Sequence, residues 1–212
     1  PKVLVIRHDV DLDPFEQLKY AELEKEYKMT TTYYFRYTKK IFNKAVINKI
    51  HALGHEIGYH YETLTKARGD FEKSIRMFRE ELQHFQKEWN TETVCPHGGA
   101  YLENVNGYSL KGLLTLIPRL FLRKEIFSKW NNLDIWDNYN IDEFGLSGDA
   151  YKSIDFTDIL YLSDTGRSWK NDYKKVDKVK SSVNSGFPII KSDDVLRLIN
   201  SESVNNIYML IH

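Results

Sequence analysis

Most of the residues that could do chemistry in this 212-residue chain stand where apolar, strand-like runs stop. Val3-Leu4-Val5-Ile6 leads straight into Arg7-His8-Asp9-Val10-Asp11. β-Branched residues favour strands, and side chains alternate along a strand, so Arg7, Asp9 and Asp11 share one face. Two carboxylates this close repel unless a proton or a cation lies between them. A plainer alternative is that Asp11 and Asp13 cap a helix and Asp9 is solvated. Asp13-Pro14-Phe15-Glu16 reads as that helix start, with Asp13 as N-cap, Pro14 as first helical residue and Glu16 as reciprocal capping partner.

The pattern repeats along the chain. A short strand over 55–60 ends at His60, and one over 91–95 runs into Pro96-His97-Gly98-Gly99. A strand over 159–162 precedes Asp164, and a last strand over 207–211 ends on His212. One histidine after a strand means little. Three Asp and three His, all at strand C-termini, suggest a shared rim, because parallel α/β folds gather strand ends there. Aspartate and histidine without cysteine suit zinc or another borderline divalent metal in an open catalytic site.

The elements between these points alternate strand and helix, which implies parallel strands with right-handed crossovers. Phe15, Leu18, Ala21 and Leu23 suggest a surface helix over 14–27 packed on the first strand. Thr30 to Phe35 reads as a second strand. A helix over 43–53 ends at Gly54. Asp70 caps the clearest helix, whose apolar residues Phe71, Ile75, Phe78, Leu82, Phe85 and Trp89 form one stripe. Pro118 interrupts any single helix over 110–127. The stretch 133–150, rich in Asn, Asp and Gly, is expected to cross the barrel mouth as a long loop. Lys174, Lys175, Lys178 and Lys180 read as a solvated surface, and Ser192 as the cap of a last helix.

Composition sets outer bounds. The length suits one domain over 1–212. Thirty basic and thirty acidic residues balance, which argues against a nucleic-acid surface. The single Cys95 excludes an internal disulfide framework, and no segment has the apolar length of a membrane span. A cytoplasmic location is the expectation, with association with the cell envelope as the alternative. Oligomeric state is not legible.

His8-Asp9-Val10-Asp11 resembles the first motif of the NodB-type polysaccharide deacetylases, carbohydrate esterase family four. Gly54-His55-Glu56-Ile57-Gly58-Tyr59-His60 resembles the second, and Met209-Leu210-Ile211-His212 the last. The resemblance spans the chain and implies an irregular (β/α) barrel of about seven parallel strands. It implies that Asp9 is the general base, that Asp11 and His60 bind a divalent metal, expected to be zinc, and that His212 is the general acid oriented by Asp164. The family's pattern continues past that histidine, which suggests truncation at the C-terminus.

Two departures matter. The family's second metal histidine falls at Leu64, which cannot ligate, and no Arg follows the fourth strand. His97 is the expected substitute ligand, with Glu62 as alternative, and Arg7 the expected substitute arginine. The stretches around Asp134-Ile135-Trp136 and Asp164-Thr165-Gly166-Arg167-Ser168-Trp169 resemble a deacetylase-like subgroup of uncertain substrate. The implied reaction removes acetyl from an N-acetylated amino sugar, free or in a glycan, with Arg167 and Trp169 as candidate walls of the sugar site. Alternatives are hydrolysis of another non-peptide amide on the same fold, and a carbohydrate-binding pseudoenzyme.

Overall fold

Seven parallel strands form one sheet in the order β5-β4-β3-β2-β1-β7-β6. They are β1 (Val3–Val10), β2 (Thr32–Phe35), β3 (Glu56–Tyr61), β4 (Thr93–Pro96), β5 (Gly148–Asp149), β6 (Leu160–Ser163) and β7 (Asn206–Ile211). The helices are α1 (Pro14–Glu26), α2 (Lys44–Ala52), α3 (Thr63–Lys66), α4 (Phe71–Trp89) and α5 (Ser192–Asn200). This computed structural model describes residues 2–98, 130–165, 168–169, 179, 181–183 and 185–212. The expectations for 110–127, for Arg167 and for the four lysines at 174–180 fall outside them.

The sheet curls into a barrel. β1 and β5 are four strands apart, so a flat sheet would separate them by roughly 19 Å. Yet Arg7 of β1 reaches the Ala150 carbonyl just past β5, at 3.4 Å. Among the described residues no backbone pairing joins the two edge strands. The seam is bridged instead by Tyr151 and Tyr161, whose hydroxyls lie 3.2 Å apart.

Strand parity divides the side chains. Ile6, His8 and Val10 point out of β1 toward the helices, while Arg7 and Asp9 point in. Tyr33, Phe35, Ile57, Tyr59, Tyr61 and Val94 join the outward core against α2 and α4. A second outward cluster packs Leu160, Leu162, Ile207 and Met209 under Val195 and Leu198 of α5. The barrel interior is narrow. A Cβ on Gly58 would fall 2.3 Å from the Tyr34 ring, so glycine is what lets Tyr34 fill the space beside β3.

α4 forms as its stripe predicts. Asp70 accepts a hydrogen bond from the Lys73 N–H at 2.9 Å, and Ile75, Phe78, Leu82, Phe85 and Trp89 are buried. Each fully buried side chain of this kind contributes about 1.5–3 kcal/mol.

Four expectations need correction. In α1 it is Pro14, Gln17 and Ala21 that face inward, while Phe15 and Leu23 are exposed. Asp13 does cap α1, accepting from the Phe15 N–H at 2.9 Å, but Glu16 pairs with Lys19 at 2.7 Å on the surface. The cap position of α5 is Lys191, one residue before Ser192, and Asp194 accepts from the Ile190 and Lys191 N–H groups at 3.0 Å. The stretch 133–150 is not a loop over the mouth. It forms two 3-10 turns and β5, with Ile135, Trp136, Phe144 and Leu146 buried in the core that includes α4. No helix among the described residues is long and apolar enough to cross a membrane.

Candidate metal centre and active site

Asp9, Asp11, His60, His97 and His212 come toward the C-terminal rim on the inward parity of their strands, whereas Asp164 follows the outward parity of Leu160 and Leu162 and meets His212 just past β6. Asp9 lies in β1 and Asp11 just beyond it; His60 lies in β3, His97 follows β4, Asp164 follows β6 and His212 follows β7. The Asp11, His60 and His97 ligand atoms all lie within 4.8 Å of one another. Asp11 Oδ1 is 3.5 Å from His60 Nε2 and 3.6 Å from His97 Nε2. Donor atoms around a tetrahedral zinc, with bonds near 2.0–2.1 Å, stand roughly 3.4 Å apart. Asp11 Oδ1 is buried and has no hydrogen-bond partner among the described residues. Such an atom needs a cation or a proton to offset its lost hydration.

The surrounding contacts orient these groups. His60 Nδ1 lies 3.0 Å from the Cys95 carbonyl, so a proton on Nδ1 leaves the Nε2 lone pair facing Asp11. Burial lowers the His60 pKa, but the charge of Asp9 and the contact and charge of Asp11 outweigh it and raise it. His97 moves the other way: burial, opposed by Asp11 but aided by His60 and Arg36, lowers it to about 4. Its ring is therefore neutral near pH 7, as a metal ligand must be. Burial pushes the Asp11 carboxyl up, but contact with His60 and the charges of His60, His97 and Arg36 hold it well below the usual carboxylate range. One anionic and two imidazole donors with an unsatisfied oxygen between them fit a divalent ion.

Glu62 stands behind this trio. Its Oε2 is 2.5 Å from Arg36 Nη2 and 3.9 Å from His97 Nδ1, and Lys66 Nζ lies 3.4 Å from Oε1. Bound to two cations, it is poorly placed to serve as a third ligand. Leu64 is buried in the outward core, on the helix side of the sheet.

Asp9 sits deeper in the barrel. Arg7 Nε is 3.5 Å from Asp9 Oδ1, and Cys95 Sγ is 3.7 Å from Oδ2. The Arg7 guanidinium is held in turn over the Tyr151 ring at 4.2 Å and the Tyr208 ring at 5.4 Å. His60 Nε2 is 3.9 Å from Asp9 Oδ2, so Asp9 adjoins the trio. His212 Nδ1 lies 2.6 Å from Asp164 Oδ1, and the His212 backbone N–H donates to the same carboxylate at 3.1 Å. Burial lowers the His212 pKa, but the Asp164 hydrogen bond and the charges of Asp9, Asp164 and Asp11 raise it overall. That favours an imidazolium able to donate a proton.

Trp169 is placed elsewhere. Its ring packs on the outward cluster beneath α5, and its indole N–H donates to Ser192 Oγ at 3.3 Å.

Sequence reasoning missed several supports. Cys95 shares its face with His97 two residues on, which the period of a strand could have shown. Burial pushes its thiol well up, so it stays protonated beside Asp9. Asn132 donates to the His97 carbonyl at 2.8 Å and accepts from the Thr65 N–H at 3.1 Å, tying the His97 loop to α3. No periodicity announces that contact.

No protein-family model matches the chain, and no curated protein sequence matches it. Among solved structures, the peptidoglycan deacetylase PdaC from Bacillus subtilis is similar with a TM-score of 0.48 and 10% identity, covering 100% of this chain and 74% of that one. A likeness that faint says nothing about substrate or residue roles.

Proposed function

We propose that the protein is a metal-dependent hydrolase that removes acetyl from an N-acetylated amino sugar in a glycan or glycoconjugate. One observation carries the reading: Asp11, His60 and His97 face one another at the rim, with Asp9 adjoining and the Asp164–His212 pair within electrostatic reach. Asp11, His60 and His97 would hold the ion, which when bound supplies Lewis-acid activation of water and of a carbonyl.

The chain's own groups supply the rest. Asp9, fixed by Arg7, takes the proton from the attacking water. His212, held by Asp164 and biased toward its charged form, gives a proton to the departing nitrogen. Acid on one side and base on the other is what amide hydrolysis requires, because an amine leaves poorly unless protonated. The products are acetate and a free amine. N-acetylated sugar as the substrate rests on the resemblance of the three motifs.

The test is acetate release from N-acetylglucosamine oligomers by zinc-loaded protein, lost on chelation and restored by zinc. Zinc binding without acetate release from these or other amides would leave a carbohydrate-binding protein and overturn the hydrolase.

A further inference from the structure

A cleft of about 820 Å³ opens beside the trio, with Asp11 and His97 in its wall. Its remaining charges are uneven: Arg36, Lys39, Lys40, Lys66 and Arg68 line it, against the carboxylates of Asp11 and Glu62. Five cations against two anions contrasts with a chain whose thirty basic and thirty acidic residues cancel.

The two carboxylates are already engaged. Glu62 is paired with Arg36 and Lys66, and Lys66 is also bound by Glu81 at 3.0 Å. Asp11 faces the two histidines. Lys39, Lys40 and Arg68 remain, all exposed, and none has a carboxylate within 4 Å among the described residues. Arg68 also takes φ 56°, a left-handed conformation that disfavours residues other than glycine, at the turn that ends α3. A metal bound at the trio would add further positive charge to the same cleft. A low-dielectric wall lined by one sign of charge concentrates ligands of the other.

Resting on the hydrolase reading above, we infer that the substrate is anionic: its amino sugar carries a phosphate ester or a carboxylate that docks against Lys39, Lys40 and Arg68 while the acetamide lies at the rim. A neutral acetamido sugar has no group to use these three cations. Arg and Lys recognise both phosphate and carboxylate, so the cleft chemistry is shared between the two.

The test compares N-acetylglucosamine 1-phosphate, N-acetylmuramic acid and neutral methyl N-acetylglucosaminide as substrates of the zinc-loaded protein. At least one anionic substrate should be favoured by about tenfold or more in kcat/KM, and the preference should shrink as salt rises from about 50 to about 500 mM. The triple variant Lys39→Ala, Lys40→Ala, Arg68→Asn should bring the preference to within about twofold; asparagine tolerates the left-handed turn, so the fold is retained. Binding is read separately by calorimetry on Asp9→Asn protein, where removing the three cations should weaken the favoured anion by about tenfold or more.

Equal kcat/KM for neutral and anionic sugars, with no response to the triple substitution, would overturn the anionic substrate and leave the hydrolase standing. Anion binding that needs the three cations, with no acetate released from any substrate, would support the anionic ligand and overturn the hydrolase. If neither anion binds the Asp9→Asn protein, the inference fails. Preference for the phosphate or for the carboxylate identifies which group the cleft was built for.

Discussion

Two clusters of carboxylate and histidine flank β1, one on each face, and they differ in how their polar atoms are matched. On the helix side, Glu24 accepts from His8 at 2.8 Å, Thr31 at 2.7 Å and Tyr33 at 2.7 Å. His55 uses both ring nitrogens, with Ala21 O at 3.0 Å from Nε2 and the Thr31 N–H at 3.3 Å from Nδ1. His8 stacks on Tyr33 at 4.3 Å. On the barrel side, Asp11 Oδ1 and the Nε2 atoms of His60 and His97 gather within 4.8 Å of one another, and Asp11 Oδ1 is buried without a hydrogen-bond partner among the described residues. Residue types alone would not separate the two. What separates them is the state of the carboxylate: Glu24 already accepts from three groups, although His8 Nδ1 beside it is buried without a partner, whereas Asp11 Oδ1 accepts from none among the described residues. The first arrangement stabilises the fold; the second is left incomplete by the chain and is suited to something the chain does not contain.

The comparison can be broken most decisively at the rim. His97→Ala should weaken zinc binding by more than about a hundredfold, since loss of even an outer-shell partner costs ten- to a hundredfold. Zinc titration against a competing chelator reads this, and undiminished affinity would return Glu62 to the ligand set. Asp9→Asn should lower kcat by at least about a hundredfold while the bound zinc stays near one per chain, because a base is removed and no ligand is. A larger residual rate would take the general-base role from Asp9. His97→Ala should cost little stability in the metal-free protein, whereas Asp9→Asn leaves the buried Arg7 guanidinium without its carboxylate and should cost about 3 kcal/mol.

The helix-side cluster should show the opposite behaviour. Glu24→Ala leaves His8, Thr31 and Tyr33 without their acceptor, so urea unfolding should report a loss of about 3 kcal/mol, with zinc affinity unchanged. The pH dependence gives a finer test. Burial raises the Glu24 carboxyl, but hydrogen bonds and charge from His8, with Tyr33 and Thr31, outweigh it and lower it below its ordinary value of 4.5. A group lowered in the folded state contributes stability that is present above 4.5 and lost as pH falls through the depressed value. Glu24→Gln should therefore flatten the fall of Tm with pH in the range below 4.5, while an unchanged profile would mean that Glu24 is not held as a carboxylate.

This contrast also explains what could be read in advance. Strand parity is a local property, so Asp9, Asp11, His60 and His97 could be placed on one face and at one rim from the sequence. The α4 stripe was legible for the same reason. The orientation of α1 was not. Phe15 and Leu23 sit at helical spacing, but the geometry turns Pro14, Gln17 and Ala21 inward, and spacing cannot tell which of two weak faces wins. β5 has two residues, too short to carry a period, and the burial of Trp136 depends on Tyr61 and Asp149, to which its indole donates at 2.8 and 3.0 Å. Closure through Tyr151 and Tyr161 is likewise a long-range contact without a local signature. The Glu24 cluster carries no such signal, because His8 and His55 fall within motif-like runs while their partners come from α1, from Tyr33 of β2 and from Thr31 just before it.

The smallest effect should come from Asn132, which belongs to neither cluster. Its amide donates to the His97 carbonyl at 2.8 Å and to Thr65 Oγ1 at 3.1 Å, and its oxygen accepts from the Thr65 N–H at 3.1 Å. It is buried, while Thr65 and His97 are only half-buried, so water can replace part of what the amide supplies when it is removed. Asn132 holds the backbone of His97 and not the ring, and the turn after β4 is also fixed by the His97 N–H, which donates to the Tyr61 carbonyl at 2.8 Å. Asn132→Ala should therefore loosen the loop without releasing it. Zinc affinity should fall by about three- to tenfold, at the low end of what outer-shell partners contribute. Stability should fall by about 1–2 kcal/mol through the groups left unpaired. Asn132→Asp separates the two effects: its oxygen can still accept from Thr65, but it presents a carboxylate oxygen to the His97 carbonyl. If the aspartate variant binds zinc as the wild type does, the carbonyl contact does not position His97, and the loop is held by the β4 turn alone.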